Sequence, residues 1–292
     1  MSRILAIDLG GTRFRAGVAD LANPGGVVAK GEWAAPQTRE DFLALVRQQL
    51  DEHGATQLGL GIPGLAQGTT CRGVPNLPYL DGLDLADELG GVSIGLGNDA
   101  QLALLAEAKA GAANGLSDAV LLAIGTGIGS AVLAGGRIIT GSGGGACSFG
   151  WAVADVADPG EDRSGWLERQ ASGRALDAAA ATVGLPDGAS LVRAARARDP
   201  EAVEALAKPM AALGTALAGA VALLDPEAVI LAGGVAASVD VLAPLVLPAL
   251  RRQLPPHLRT IDIRPGQFGP RAGLVGAAFA GAYGTNWRNG HG

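Results

Sequence analysis

The chain has 292 residues, 48% of them apolar and 17% charged, which is enough for two lobes with their own cores and too varied, despite 46 glycines, for a disordered or collagen-like class. A formal net charge of -6 lacks the basic surplus of a nucleic-acid surface, so small ligands and not nucleic acid are the expected partners. Met1-Ser2-Arg3 runs straight into a strand pattern, and no stretch reads as a charge-free bilayer span, so a cytoplasmic protein without membrane contact is expected.

Residues 3 to 33 read as a strand, a glycine turn, a strand over Phe14 to Ala19, a turn at Asn23-Pro24-Gly25-Gly26 and a strand over Val27 to Trp33. The first turn, Asp8-Leu9-Gly10-Gly11-Thr12, sets a carboxylate and a phosphate-sized loop at a strand end. Gly10 and Gly11 can take backbone angles closed to other residues and let N–H groups approach an anion, Thr12 adds a hydroxyl, and Asp8 can hold a metal or its water. A hairpin turn with a capping Asp fits the same residues. A helix over Asp41 to His53 follows, then a strand over Leu58 to Ile62 ending at Pro63-Gly64, a strand over Ser93 to Leu96, and a helix over Ala100 to Lys109.

Residues 118 to 140 repeat the opening pattern: a strand over Ala119 to Ile124, the turn Gly125-Thr126-Gly127-Ile128-Gly129, a strand over Ser130 to Leu133, Gly135-Gly136, and a strand over Arg137 to Thr140. Helices are expected over Gly165 to Gly173, Ala175 to Val183, Ser190 to Ala197 and Glu201 to Leu224, the last interrupted by Pro209. A strand over Ala228 to Ala232 ends in Gly233-Gly234, and a small-residue helix over Ala272 to Tyr283 closes the chain. The expected organisation is α/β, with an N-terminal lobe over 1–116 and a C-terminal lobe over 117–292. Its final helix, about 272–284, could pack back on the N-terminal lobe. Two meanders with a Gly/Thr turn each suggest a duplicated unit whose turns face one cleft and clamp a nucleotide.

Asn98-Asp99 stands between a strand and a helix. Asp99 could cap that helix, or accept the proton of a sugar hydroxyl as its oxygen attacks a γ-phosphate; Asn98 could orient neighbouring hydroxyls. Gly61-Ile62-Pro63-Gly64 and Pro75-Asn76-Leu77-Pro78 read as loop-shaping turns or as walls of a sugar pocket. Gly233-Gly234 reads as close helix packing or as a surface for a base or ribose. Cys71 and Cys147 have no ligand spacing to His53, His257 or His291, so neither a disulfide framework nor a structural zinc site is expected.

These pieces in this order resemble the ROK family (repressor, open reading frame, kinase) of sugar kinases, within the actin-like ATPase and hexokinase superfamily. The resemblance spans nearly the whole chain. It rests on Asp8 to Thr12, Gly61 to Gly64, Pro75 to Pro78, Asn98-Asp99-Ala100 with Glu107, Gly125 to Gly129, Leu167-Glu168 with Ala171-Ser172-Gly173, Leu224-Asp225-Pro226, Gly233-Gly234-Val235 and Ala272 to Ala278. It implies a two-lobed actin-like ATPase (ribonuclease H-like) fold and an ATP- and Mg²⁺-dependent hexose kinase, most nearly a glucokinase, acting on the 6-hydroxyl. A homodimer would be in keeping with relatives, and polyphosphate remains open as a donor. By resemblance Asp99 is the base; Gly64, Asn76, Asn98 and Glu168 meet the sugar. Asp8, Gly10, Gly11, Thr12, Gly125, Thr126 and Gly127 hold phosphates and Mg²⁺, and Gly233 and Gly234 flank the adenosine.

Two departures accompany the match. Family kinases carry a Gly-Glu-x-Gly-His segment, and here Ser148 stands at the Glu position and Trp151 at the His position. The zinc-binding cysteine cluster is replaced by Gly160 to Trp166, which has no thiolate, so zinc is not expected to bind. Ser148 can still hydrogen bond and Trp151 could stack on a sugar face. The alternative is a sugar- and nucleotide-binding sensor derived from a kinase, with weak or no catalysis. Repressors of the family carry a DNA-binding extension before the first phosphate loop, which here begins at residue 8, so direct DNA binding is not expected.

Overall fold

The computed structural model describes residues 2–288; His291 lies outside them. A meander of β1 (Arg3–Leu9), β2 (Arg13–Asp20) and β3 (Asn23–Ala34) leads to α1 (Arg39–His53) and β4 (Ala55–Ile62). The hairpin β5 (Leu65–Gln67) and β6 (Thr70–Arg72) precedes α2 (Leu85–Glu88), β7 (Ser93–Asn98) and α3 (Asp99–Ala110). The second meander is β8 (Ala119–Ile124), β9 (Ile128–Ala134) and β10 (Arg137–Ile138). It is followed by α4 (Trp166–Ala171), α5 (Gly173–Thr182), α6 (Gly188–Arg196) and α7 (Pro200–Leu224). Then come β11 (Ala228–Gly233), α8 (Val239–Gln253), β12 (Asp262–Pro265) and α9 (Ala272–Tyr283).

Two five-stranded sheets repeat one topology, β3-β2-β1-β4-β7 and β10-β9-β8-β11-β12. In each, parallel strands extend the sheet beyond the first strand of the meander: β4 pairs with β1 and β7 with β4, as β11 pairs with β8 and β12 with β11. This is the duplicated unit. The chain forms two compact units, one comprising the chain to Ser117, Ala131–Ala146 and the chain from Pro270, the other Asp118–Ser130 and Cys147–Gly269. The chain thus passes between units four times, where the sequence suggests one boundary near 116.

In the first unit α9 joins the sheet and α3 through glycines. A Cβ on Gly59 of β4 would sit 1.6 Å from the Ala277 carbonyl oxygen, one on Gly95 of β7 2.0 Å from that of Ala280, and one on Gly276 1.8 Å from that of Leu102. Strand glycines here buy backbone contact with a helix. On the other face, Phe42, Val46 and Leu50 of α1 enter the core with Leu5, Ile7 and Leu58. The helix is opened by Thr38, whose side chain accepts from the Asp41 N–H, and closed by left-handed Gly54.

The expected turn at Asn23 to Gly26 is instead the start of β3, and the turn falls at Leu21-Ala22. β3 is an edge strand, where Pro24 gives up no ladder bond, and a Cβ on Gly25 would come within 3.3 Å of the Phe279 ring. In the second unit α7 runs unbroken through Pro209, which is buried. α8 is absent from the sequence reading because Pro244 and Pro248 look like breakers, yet both lie inside it. α7 is also long and apolar enough to cross a membrane, with a mean hydropathy of 1.5, contrary to the expectation that no stretch would qualify. Half of that window is buried within the protein, against α8, α4 and α6, as in the core helix of a folded domain.

Candidate active site

In the first unit, β1 delivers Asp8 to its end and pairs it across the hairpin with Arg15. Arg15 Nη1 lies 3.4 Å from Asp8 Oδ2, and its Nε donates to Glu32 Oε2 at 2.9 Å. Burial raises the Asp8 carboxyl above its ordinary value, and Arg15 works against that. Space for Asp8 comes from α9: a Cβ on Gly273 would be 2.8 Å from Oδ1. The turn is closed by the Gly10 N–H donating to the Arg13 carbonyl at 2.8 Å, and Thr12 is exposed. Neither Gly10 nor Gly11 has a positive φ, contrary to the role the sequence suggests. Gly11 is small because Asn76 lies against it, with a Cβ there 3.1 Å from that of Asn76.

β7 ends at Asn98, which caps α3: its Oδ1 accepts from the Ala100 N–H at 3.0 Å and its Nδ2 donates to the Gly64 carbonyl at 3.0 Å. The cap residue is therefore Asn98, and it shares the Ala100 N–H with Asp99. Gly64 contributes a carbonyl to Asn98, and it is glycine because a Cβ would meet Val74 at 2.8 Å. Asp99 opens α3, where a negative charge suits the helix dipole, and its Oδ1 accepts from the Ala100 N–H at 2.7 Å. The residue is exposed to solvent yet walled by protein, which pushes its carboxyl up to about 6; the Ala100 N–H opposes the rise and the charge of Asp8 adds to it. Glu107, fully buried, accepts from the Ala112 N–H at 2.7 Å and shapes the loop after α3.

In the second unit, Gly125, Thr126 and Gly127 form the turn after β8, with Gly125 and Thr126 exposed. α5 begins against it: the Gly173 N–H donates to the Gly125 carbonyl at 2.7 Å, and a Cβ on Gly173 would be 2.5 Å from that oxygen. Glu168, in the first turn of α4, accepts from the Ile128 N–H at 3.2 Å, and a Cβ on Gly127 would approach its Oε2 to 2.7 Å. Ser148 and Trp151 bracket a short turn beside it; a Cβ on Gly150 would lie 2.9 Å from the Ile128 carbonyl and 3.5 Å from Glu168 Oε2. That turn begins with Cys147 at φ 69°. The Ser130 hydroxyl fixes it, donating to the Cys147 carbonyl and accepting from the Phe149 N–H at 3.0 Å. Trp151 is 51% exposed.

The turn after β11 crosses the end of β8. Gly233 supplies the left-handed bend, at φ 75°, and the Gly234 N–H donates to the Ile124 carbonyl at 3.0 Å. A cavity of about 390 Å³ opens there, between Gly125, Gly234 and Val235 on one side and Leu176, Val192 and Arg193 on the other. Gly234 lines it, while Gly233 shapes its wall from behind. Sequence reasoning missed Leu176 and Val192 because apolar helix positions look like core, and it missed Arg15, whose signal was a charge opposite Asp8 set between Phe14 and Ala16, both buried.

A model of the ROK family matches residues 4–280. The chain belongs to the ROK family. ROK relatives of known activity include the glucokinase of Streptomyces coelicolor, 29% identical over 313 residues that cover 95% of this chain and 97% of the relative. The N-acetylmannosamine kinase of Shigella flexneri is 30% identical over 291 residues, covering 94% and 97%. Among solved structures, a ROK family glucokinase from Streptomyces griseus in complex with glucose and AMPPNP superimposes with a TM-score of 0.79 at 27% identity, covering 97% of this chain and all of that one. The ROK hexokinase of Thermus thermophilus gives 0.78 at 30% identity, with 96% and 97% covered. The fold is therefore the α/β actin-like ATPase fold of ROK kinases.

Among the described residues no three His, Cys, Asp or Glu side chains gather as a metal site. Magnesium needs fewer, since it takes one or two carboxylates and completes its shell with water and phosphate oxygens. Asp8 fits that demand: it is a partly buried carboxylate, 16% exposed, with a cation only at a long 3.4 Å from Oδ2, and glycine leaves Oδ1 uncrowded.

Proposed function

We propose that the protein is an ATP-dependent sugar kinase that phosphorylates the 6-hydroxyl of a hexose, most nearly a glucokinase. The observation that carries the reading is Asp99, a solvent-reachable carboxylate at the start of α3, beside the capping Asn98, that is pushed up to about 6. A base with that affinity accepts the hydroxyl proton as the sugar oxygen bonds to the γ-phosphorus and the bond to the bridging oxygen of ADP breaks. Mg²⁺, held by Asp8, would neutralise phosphate charge. The backbone at Gly10, Gly11 and Thr12 and at Gly125, Thr126 and Gly127 positions the phosphates. Asn98, Glu168, Ser148 and Trp151 meet the acceptor, with Asn76 and Gly64 shaping its wall.

The apolar part of the 390 Å³ cavity's wall favours a nucleoside over polyphosphate, because Leu176, Val192 and Val235, beside the polar Asp177 and Arg193, offer a flat base what a bare phosphate chain cannot use. The S. griseus glucokinase, solved with glucose and AMPPNP, and the N-acetylmannosamine kinases bracket the acceptor choice. An ADP-release assay across glucose, mannose, fructose, N-acetylglucosamine and N-acetylmannosamine tests the reading. Turnover with at least one, highest with glucose, is expected; nucleotide and sugar binding in calorimetry with no turnover would instead establish the sensor, which Trp151 and Ser148 at the acceptor wall would suit.

Gly127→Ala should raise KM for the sugar with little change in melting temperature. Its methyl meets the far end of the Glu168 side chain, which swings aside at a stability cost of about 1 kcal/mol or less but leaves the Ile128 N–H. Steady-state kinetics beside thermal denaturation check this, and equal losses of kcat and melting temperature would contradict it.

A further inference from the structure

Residues 152–165, between Trp151 and α4, form neither helix nor strand. So long an irregular stretch keeps one shape only if something offsets the chain entropy. Apolar burial does not supply it, for Val153 is 59% exposed and Val156 fully so. The fastening is ionic and centres on Arg169, one residue after Glu168. Arg169 Nη1 donates to the Ser164 carbonyl at 2.6 Å and lies 3.2 Å from Glu161 Oε1; Nη2 donates to Asp158 Oδ2 at 2.6 Å. The partners are tied to one another and to the segment's own backbone. The Ser164 hydroxyl donates to Glu161 at 2.7 Å, and Asp158 accepts from the Gly160 N–H at 2.8 Å.

A planar guanidinium can serve three oxygens lying on different sides of it, which an ammonium on a flexible stem does less well. Asp158 and Arg169 are shielded from solvent more than ordinary surface pairs, at 14% and 25% side-chain exposure, so their attraction is weakened less by water. The hydrogen bond from Arg169 holds the Asp158 carboxyl below its ordinary value.

The ends of the segment are joined as well. Gly165 packs backbone to backbone on Gly150 and Trp151, where a Cβ would come within 2.2 Å of the Gly150 carbonyl oxygen, and the Leu167 N–H donates to the Ala152 carbonyl at 3.2 Å. The fastened segment therefore runs from Trp151 at one end to Glu168 and Arg169 at the other, and its shape sets how those two side chains stand to each other. We infer that Arg169 is a positioning residue for acceptor recognition, its ionic knot with Asp158, Glu161 and Ser164 fixing Trp151 and Glu168 in the geometry a sugar requires. This rests on the sugar-kinase reading.

The test compares Arg169→Ala, Arg169→Lys and Asp158→Asn with the wild type in full-length protein. One readout is the sugar KM and kcat at saturating ATP; the other is the rate of tryptic cleavage after Arg163, an exposed residue inside the segment. Arg169→Ala should raise KM about tenfold or more while kcat stays within about threefold, and should speed cleavage after Arg163 by about tenfold. Arg169→Lys and Asp158→Asn should fall between it and the wild type in both readouts. Unchanged KM and cleavage in Arg169→Ala would overturn the inference. So would a parallel fall of kcat and melting temperature that Arg169→Lys does nothing to rescue, because a general structural role would produce it. If the wild type turned over no sugar, the kinase reading would fall, and the cleavage comparison alone would still uphold or overturn the fastening of the segment by Arg169.

Discussion

Asp99→Asn should lower kcat by about 10²- to 10⁴-fold, the range a general base contributes, while leaving sugar affinity within a few-fold. The amide keeps the acceptor that Asp99 offers the Ala100 N–H and keeps the volume, so only basicity is lost. Stability should not fall and at neutral pH should rise slightly. The folded-state value is raised from 3.8 to about 6, so this group's contribution to stability is complete below about 3.8 and is lost as pH climbs through 6. At pH 7 the wild type carries an ionised carboxylate in a place that disfavours its charge, and the amide removes that cost. The same shift predicts the acid limb of the rate profile. Because the base must be unprotonated, kcat/KM should fall about tenfold per unit below pH 6, instead of below pH 4 as an ordinary Asp would give. Steady-state kinetics from pH 5 to 8 and thermal melts of both proteins check these together. A profile flat down to pH 5, or a variant with wild-type kcat, would remove Asp99 from the chemistry.

Gly59→Ala should be the most damaging single methyl in the first unit. The added carbon would stand 1.6 Å from the Ala277 carbonyl oxygen, and both partners are backbone, so neither can turn away; α9 as a whole must lift from β4. A cost of about 3 kcal/mol or more is expected, at or above the upper end of ordinary overpacking and a large share of a typical domain's stability. Activity should fall with it, because α9 also carries Gly273, whose missing side chain leaves Asp8 its room. Gly219→Ala is the matched control: it is exposed in α7, nothing lies within 4 Å of the new carbon, and removing glycine from a helix should stabilise by about 0.5 to 1 kcal/mol. Melting temperatures of the two variants decide this. Equal shifts would mean that the closeness of α9 and β4 is not what Gly59 serves.

Much of the candidate site was legible because its residues sit at strand ends, where glycine and carboxylate break an apolar pattern. Asp8, Asn98, Asp99 and the turn at Gly125 to Gly127 are all of that kind. What the sequence could not show was why the glycines are there. Gly10, Gly11, Gly125 and Gly127 have no positive φ, and Gly11 and Gly127 instead admit Asn76 and Glu168; of the glycines in these turns and the one after β11, Gly233 is the one in the conformation that favours glycine. The division of labour at residues 98 and 99 was likewise open until the hydrogen bonds assigned the cap to Asn98. In the fold, both meanders were readable from apolar runs between turns. α8 was hidden by its two prolines, and β3 began early because an edge strand tolerates Pro24. Arg169 was unreadable for a different reason: its partners lie 5 to 11 residues away along an irregular segment, at no spacing that a helix or strand would repeat.

Phosphorus NMR of the product formed from ATP, Mg²⁺ and the best acceptor, run on the wild type and on Asp99→Asn at equal saturation with sugar, tests the central claim most directly. The account predicts a sugar 6-phosphate ester and one equivalent of ADP from the wild type, with the ester at least about a hundredfold slower to appear with the variant. ADP and free phosphate without an ester from the wild type, or an ester formed equally fast by both proteins, would contradict it.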